Sequence, residues 1–219
     1  MAYILNIETA TKNCSVALAK DGAVVALKEF AGEGYAHAEM LHVFIEDVLA
    51  QGNITFKDLN AIAVSMGPGS YTGLRIGVSA AKGLCYALNI PLIAIDTLEL
   101  LALKIKVDEG VIIPMIDARR MEAYTAIFDK DYNKVRETKA EIISENFFDT
   151  IAGTIHLIGD GAAKYVQVLP TGKFVYHEEI LYPSANEMAQ PAFDKYKKSD
   201  TVDVAYFEPF YLKDFIAGK

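Results

Sequence analysis

Two stretches of this sequence carry the same signals in the same order, and that repetition restricts the fold more than any single motif does. "YILNIET" (Tyr3–Thr9) is a short apolar run ending in an acid, and "CSVALAKDGAVVALKEF" (Cys14–Phe30) reads as two strands joined by an Asp21-Gly22 hairpin turn. In the second half, "VIIPMID" (Val111–Asp117) is again an apolar run ending in an acid, and "AYTAIFDKDYNKVRETKAEII" (Ala123–Ile143) is a second hairpin around Asp129–Asn133. From Glu8 to the first hairpin turn is about thirteen residues, and Asp117 stands about as far from the second. After the first meander, His37–Gln51 has helical periodicity, and "AIAV" (Ala61–Val64) reads as a buried strand feeding a glycine-rich turn. After the second, a short helical stretch near Ser144–Ile151 precedes a strand, "IHLIGDG" (Ile155–Gly161), with its own glycine turn.

A strand, a meander, a helix, a strand and a glycine turn, made twice, describe an α/β chain with the duplicated, two-lobed actin-like (ASKHA, ribonuclease H-like) architecture of mixed sheets flanked by helices. One doubly wound sheet fits less well, because antiparallel hairpins opening each half are foreign to strict alternation of strand and helix. In "LKIKVDEG" (Leu103–Gly110) charges interrupt the apolar pattern and a glycine ends it, so the expected lobes are 1–104 and 105–219. No run reaches the roughly 18 apolar residues of a membrane span, and no basic segment precedes the apolar N-terminus, so the expected location is the cytoplasm. A formal net charge of −8 sets the average surface against nucleic acid, which leaves RNA contact to a basic partner. Cys14 and Cys85 have neither metal nor disulfide spacing and read as buried thiols.

The turn itself, "SMGPGSYTGLRIGVSAAKG" (Ser65–Gly83), admits three readings. Gly67, Gly69 and Ser70 could cradle a phosphate, yet no lysine follows the glycines, and Arg75, one turn into the helix, is the first cation. Ser70 could be a nucleophile, but the stretch is no G-x-S-x-G elbow, so capping the following helix is its simpler role. Behind the turn, Gly73, Gly77, Ala81 and Cys85 recur every four residues, putting only small side chains on one stripe that permits close approach of another helix, internal or from another chain. The first helix offers a mate: Met40, Leu41, Phe44, Ile45, Val48 and Leu49 exceed a narrow core-facing stripe. His37 and His42 stand five apart and do not form a helical metal pair.

"SMGPGSYTGLRIGVSAAKGLCYAL" with "PLIAIDTLELLA" (Pro91–Ala102), "IDARRMEAY" (Ile116–Tyr124) and the closing "EPFYLK" (Glu208–Lys213) strongly resembles the TsaB family, also called YeaZ. The resemblance runs over nearly the whole chain, is strongest from Ala61 to Thr97, and rests most specifically on the GPGS-[FY]-TGLRIG run. It implies the glycoprotease-like branch of the actin-like fold. It also implies a non-catalytic subunit that binds and stabilises the catalytic subunit TsaD, acting with the ATPase TsaE in transfer of a threonylcarbamoyl group to N6 of adenosine 37 of tRNA. ATP is then used by the assembly, no cofactor belongs to this chain alone, tRNA is met through the complex, and homodimers form without the partner. In the catalytic relatives a His-x-x-x-His metal pair stands where this sequence has Thr97 and Leu101, and neither side chain can replace an imidazole ligand. The implied partner face lies on the two helices at His37, Met40, Leu41, Phe44, Gly73, Arg75, Gly77 and Ala81. Two departures are Glu8, where aspartate is commoner, and Lys213, where arginine is common. The competing reading is a stand-alone actin-fold nucleotide-binding enzyme or a glycoprotease-type peptidase.

Overall fold

In Tyr3–Glu8 (β1) every residue after Tyr3 is buried, the mark of a central strand covered on both faces. The computed structural model describes residues 1–32, 37–169 and 172–213. Asn13–Lys20 (β2) returns antiparallel to β1, and Ala23–Ala31 (β3) returns antiparallel to β2. Between them the Asp21-Gly22 turn takes φ of 50° and 86°, the left-handed pair that a two-residue hairpin with right-handed strand twist needs. His37–Gln51 (α1) leads through a 3-10 turn at Phe56–Asp58 to Ala61–Gly67 (β4), parallel to β1. Tyr71–Leu88 (α2) then leads to Leu92–Asp96 (β5), parallel to β4, giving the five-stranded order β3-β2-β1-β4-β5. Leu5, Ile7, Val16, Leu18, Ile62 and Val64 meet Leu41, Ile45 and Val48 of α1 and Val78, Ala81 and Cys85 of α2 in one core.

Thr97–Ala102 (α3) precedes the second sheet, whose strands are Val111–Asp117 (β6), Glu122–Asp129 (β7), Lys134–Ile142 (β8), Ile155–Ile158 (β9) and Phe174–His177 (β10). Its order, β10-β9-β6-β7-β8, repeats the first sheet strand for strand, with β6 and β7 antiparallel, β7 and β8 antiparallel, and β9 parallel to β6. The duplicated actin-like fold expected from the sequence is the fold found.

The copies differ in their helices. Where the first has α1, the second has turns: Phe147, Asp149 and Ile151 donate to Ser144, Asn146 and Phe148, each bond spanning three residues. The helix expected near Ser144–Ile151 does not form: these residues make a run of turns from which Phe148 is buried in the core. Where the first has α2, the second has a single 3-10 turn at Ala162–Tyr165.

The compact units are Met1–Thr97 with Ser184–Phe210, and Leu98–Pro183 with Tyr211–Lys219, rather than 1–104 and 105–219. Leu98, Leu101, Ala102 and Ile105 pack with Ile112, Phe128 and Ile158, which carries α3 into the second unit. Ala185–Lys197 (α4) packs on β1 and β2 and so belongs to the first. Among the described residues no helix is long and apolar enough to cross a membrane.

Candidate functional site

β4 ends at Gly67, whose φ of +111° suits glycine and whose missing Cβ would lie 2.7 Å from the Phe210 carbonyl oxygen. Its amide donates to Thr97 Oγ1 at 3.1 Å, and the Phe210 amide donates to the Met66 carbonyl at 2.7 Å. The rest of the turn is pressed onto the β1–β2 connection. A Cβ on Gly69 would stand 2.3 Å from the Ala10 carbonyl oxygen, and one on Gly73 2.1 Å from that of Thr9. The Ser70 amide donates to Ala10 O at 2.7 Å, while Thr9 Oγ1 donates back to Gly73 O at 2.8 Å. Ser70 Oγ accepts from the Gly73 amide at 3.3 Å, the capping role rather than that of a nucleophile. The amides of Gly67, Ser70 and Gly73, which a phosphate cradle would turn toward its anion, are thus bonded to protein oxygens. Glu8, fully buried, accepts from the Ala10 amide at 2.6 Å and braces the connection from inside. Burial, with the Glu8 carboxylate nearby, pushes the Cys14 thiol up to about 11.

The small stripe faces inward. A Cβ on Gly77 would lie 2.2 Å from Thr9 Oγ1 and 3.5 Å from Ile7 Cγ2, and Ala81 and Cys85 are buried behind it. Gly73, Gly77 and Ala81 therefore let α2 close onto the end of β1, and the partner-contact role expected of them is corrected: the chain's own strand occupies that space. His37 and Leu41 are also fully buried. His37 Nε2 lies 2.7 Å from the Thr11 carbonyl oxygen, fastening the start of α1 to the β1–β2 connection. Burial, opposed by that hydrogen bond, lowers its pKa below the ordinary histidine value.

Of the expected partner set, Met40, Phe44 and Arg75 remain accessible. Met40 and Phe44 of α1 and Ile76, Ala80 and Leu84 of α2 each pack partly on the core and are partly exposed. The two helices touch, so these five residues make an apolar seam along the pair. Val43 at 55% and Tyr86 at 85% exposure add large apolar surface to the same helices. Arg75 is held in place, its guanidinium donating to Tyr71 Oη at 2.6 Å and lying 5.2 Å from the ring centre. Tyr71, Thr72, Arg75, Ile76 and Ser79 line a shallow depression open to solvent. At Gly83 a Cβ would meet nothing within 4 Å. The helix has two rows of small residues, and the outer one, Ser79, Ala80 and Gly83, was hidden in the sequence behind the more regular inner one.

A family model described as TsaD, tRNA N6-adenosine threonylcarbamoyltransferase, matches residues 33–193. The Escherichia coli tRNA threonylcarbamoyladenosine biosynthesis protein TsaB is 33% identical over 226 residues, covering 99% of this chain and 96% of its own. The chain belongs to the TsaB family. The Haemophilus influenzae TsaB is 30% identical over 99% of this chain and 95% of its own. Among solved structures, a Pseudomonas aeruginosa protein described as similar to the peptidase YeaZ superposes with a TM-score of 0.85 at 26% identity, covering 97% of this chain and 100% of that one.

In this TsaB-family chain Thr97 and Leu101 have structural duties. Thr97, fully buried, takes the Gly67 amide, and Leu101 is sealed in the apolar cluster with Leu98, Ile112 and Phe128. Among the described residues no group of three or more His, Cys, Asp or Glu is placed to hold a metal ion. Lys213 pairs with the Glu122 carboxylate and reaches the Ala118 carbonyl at 3.5 Å, securing the closing segment to the β6–β7 turn.

Proposed function

We propose that this chain is a non-catalytic subunit of a tRNA threonylcarbamoyladenosine-forming assembly, and that it binds and stabilises a TsaD-type catalytic subunit through the outer faces of α1 and α2. The observation that carries the reading is the apolar seam of Met40, Phe44, Ile76, Ala80 and Leu84, flanked by the fixed Arg75. An apolar strip with a planar, pre-ordered guanidinium at its side has the composition of an interface core, where apolar groups and arginine are enriched. The glycine-rich turn supports the same reading from the other direction. Its Gly67, Ser70 and Gly73 amides are bonded to Thr97, Ala10 and the Ser70 side chain, so it acts as a joint that sets α2 on the sheet.

A TsaE-type ATPase joins the assembly, tRNA is met through the complex, and a second copy of this chain covers the seam when the partner is absent. The decisive experiment is reconstitution with TsaD-type and TsaE-type subunits, tRNA, ATP and the threonylcarbamoyl adenylate, with modified adenosine read by mass spectrometry of digested tRNA. Omitting the chain should abolish product, and the chain alone should form none. Full product without it, or product from it alone, would refute the proposal.

A further inference from the structure

The turn joining β6 to β7, Ala118–Met121, is held more completely than its exposure requires. Every carbonyl oxygen from Ala118 to Glu122 is bonded. That of Ala118 meets Lys213 Nζ, that of Arg119 takes the Glu122 amide, and that of Arg120 takes Lys164 Nζ at 2.8 Å. That of Met121 takes Tyr165 Oη at 2.9 Å, and that of Glu122 takes the Ala118 amide and Lys164. Within this frame Arg119 and Arg120 both adopt left-handed backbone, with φ of 64° and 55°. Two-residue stretches of that kind favour asparagine and glycine, and side-chained residues persist there only where the surroundings over-determine them.

The charges are arranged as unusually as the backbone. Lys164 is paired with Asp117 and Lys213 with Glu122, and the Asp160 carboxylate accepts from the Asp117 amide at 3.0 Å. Arg119 and Arg120 are exposed, and among the described residues no carboxylate lies within ion-pair distance of either guanidinium. This occurs in a chain with 29 acidic residues against 21 Lys and Arg. Met121, beside them, is 52% exposed. A pinned turn presenting two adjacent guanidiniums with no carboxylate partner among the described residues is pre-organised for a bidentate anion, and arginine's planar fork matches phosphate.

We propose that Arg119 and Arg120 contact the phosphodiester backbone of the RNA substrate, an assignment that rests on the reading of this chain as part of a tRNA-modifying assembly. Two considerations favour RNA over an acidic protein face. The assembly's substrate carries a charge at every nucleotide, and a surface of net charge −8 can approach it only where cations stand free of carboxylates. Contact is with phosphates, so it positions the RNA without reading its sequence.

The test uses the chain assembled with its TsaD-type partner and a fluorescent transcript of a tRNA reading an ANN codon, with anisotropy measured across a KCl series. The double variant Arg119→Ala/Arg120→Ala should lose affinity about 10-fold at 0.1 M salt. It should also flatten the slope of log K against log salt by about 1.4 to 1.8, the value for two lost phosphate contacts. Lys57→Ala/Lys198→Ala, which removes the same charge from exposed positions elsewhere, should keep affinity and slope within twofold of the wild type. Arg119→Gly/Arg120→Gly relaxes the left-handed backbone, so it should melt no lower than the wild type and still lose RNA affinity, which separates binding from folding. Affinity and slope equal to the lysine control would overturn the proposal. So would variants that fail to elute with the partner, because the arginines then dock a protein surface. If the wild-type chain itself fails to assemble, the proposed function falls, and the same series on the chain alone still decides whether the arginines hold RNA.

Discussion

Substituting Gly77 and Gly83 by alanine should move stability in opposite directions, although both lie in α2 and gain the same methyl group. Either change adds helix propensity of about 0.5–1 kcal/mol by restricting the unfolded backbone. At Gly83 nothing stands within 4 Å of the new atom, so that gain is the whole effect, and the midpoint should rise by about 1–4 °C. At Gly77 the methyl would lie 2.2 Å from Thr9 Oγ1, a hydroxyl already donating to Gly73 O at 2.8 Å. Overpacking of this kind costs about 1–3 kcal/mol and the displaced hydrogen bond a further ~1 kcal/mol, which outweighs the propensity gain. The net loss is about 1–3 kcal/mol, a fall of roughly 2–12 °C followed by circular dichroism at 222 nm. A Thr9→Ala background removes the obstructing oxygen, so the cost of Gly77→Ala should shrink by about 1–2 kcal/mol in a double-mutant cycle. If both glycine substitutions raised the midpoint alike, or if the cycle were additive, the stripe would not be the joint between α2 and β1.

Three more outcomes follow from the same geometry. Burial pushes the thiols of Cys14 and Cys85 up to about 11 and about 12, so at pH 8 about 0.1% or less is thiolate and Ellman's reagent should react only as the protein unfolds; prompt labelling of the native chain would contradict their placement. His37 has a pKa lowered by burial, so the unfolded state binds the proton more readily: its contribution to stability is present above the ordinary histidine value and is lost as pH falls below it, and His37→Gln should flatten the pH dependence of urea unfolding from pH 6.5 downward, whereas an unchanged profile would deny the effect. Millimolar ATP with magnesium should leave the melting midpoint of the isolated chain unmoved, because the amides of Gly67, Ser70 and Gly73 are already bonded to protein oxygens, and a rise growing with nucleotide concentration would restore the stand-alone enzyme reading.

What could be read from the sequence was local. Asp21-Gly22 announces its hairpin because only a left-handed pair closes so short a turn, and His37–Gln51 announces its helix by the spacing of Leu41, Ile45, Val48 and Leu49. The duplication was legible because strand, acid and turn recur at matched intervals. What escaped depends on contacts distant in the chain. The inward role of Gly73 and Gly77 is set by Thr9, and that of His37 by the Thr11 carbonyl. A row of small residues looks the same whether its own strand or another chain fills the space beside it. The unit boundary escaped for a similar reason, since α4 follows the second sheet in sequence but packs on β1 and β2. The stretch near Ser144–Ile151 reads as a short helix, whereas Phe148 within it is buried from a run of turns.

Isothermal titration of this chain with a TsaD-type subunit, comparing wild type with Phe44→Asp/Ala80→Arg, decides whether the outer faces of α1 and α2 are the docking surface. Both positions are partly exposed, and circular dichroism of the variant separates lost folding from lost binding. A charge on each side of the apolar seam should weaken binding at least 100-fold, about 3 kcal/mol, as for a disrupted interface centre. Val135→Asp, which alters an equally apolar side chain 59% exposed on β8, should bind as tightly as the wild type. Unchanged affinity for the seam variant, or equal weakening by Val135→Asp, would contradict the assignment.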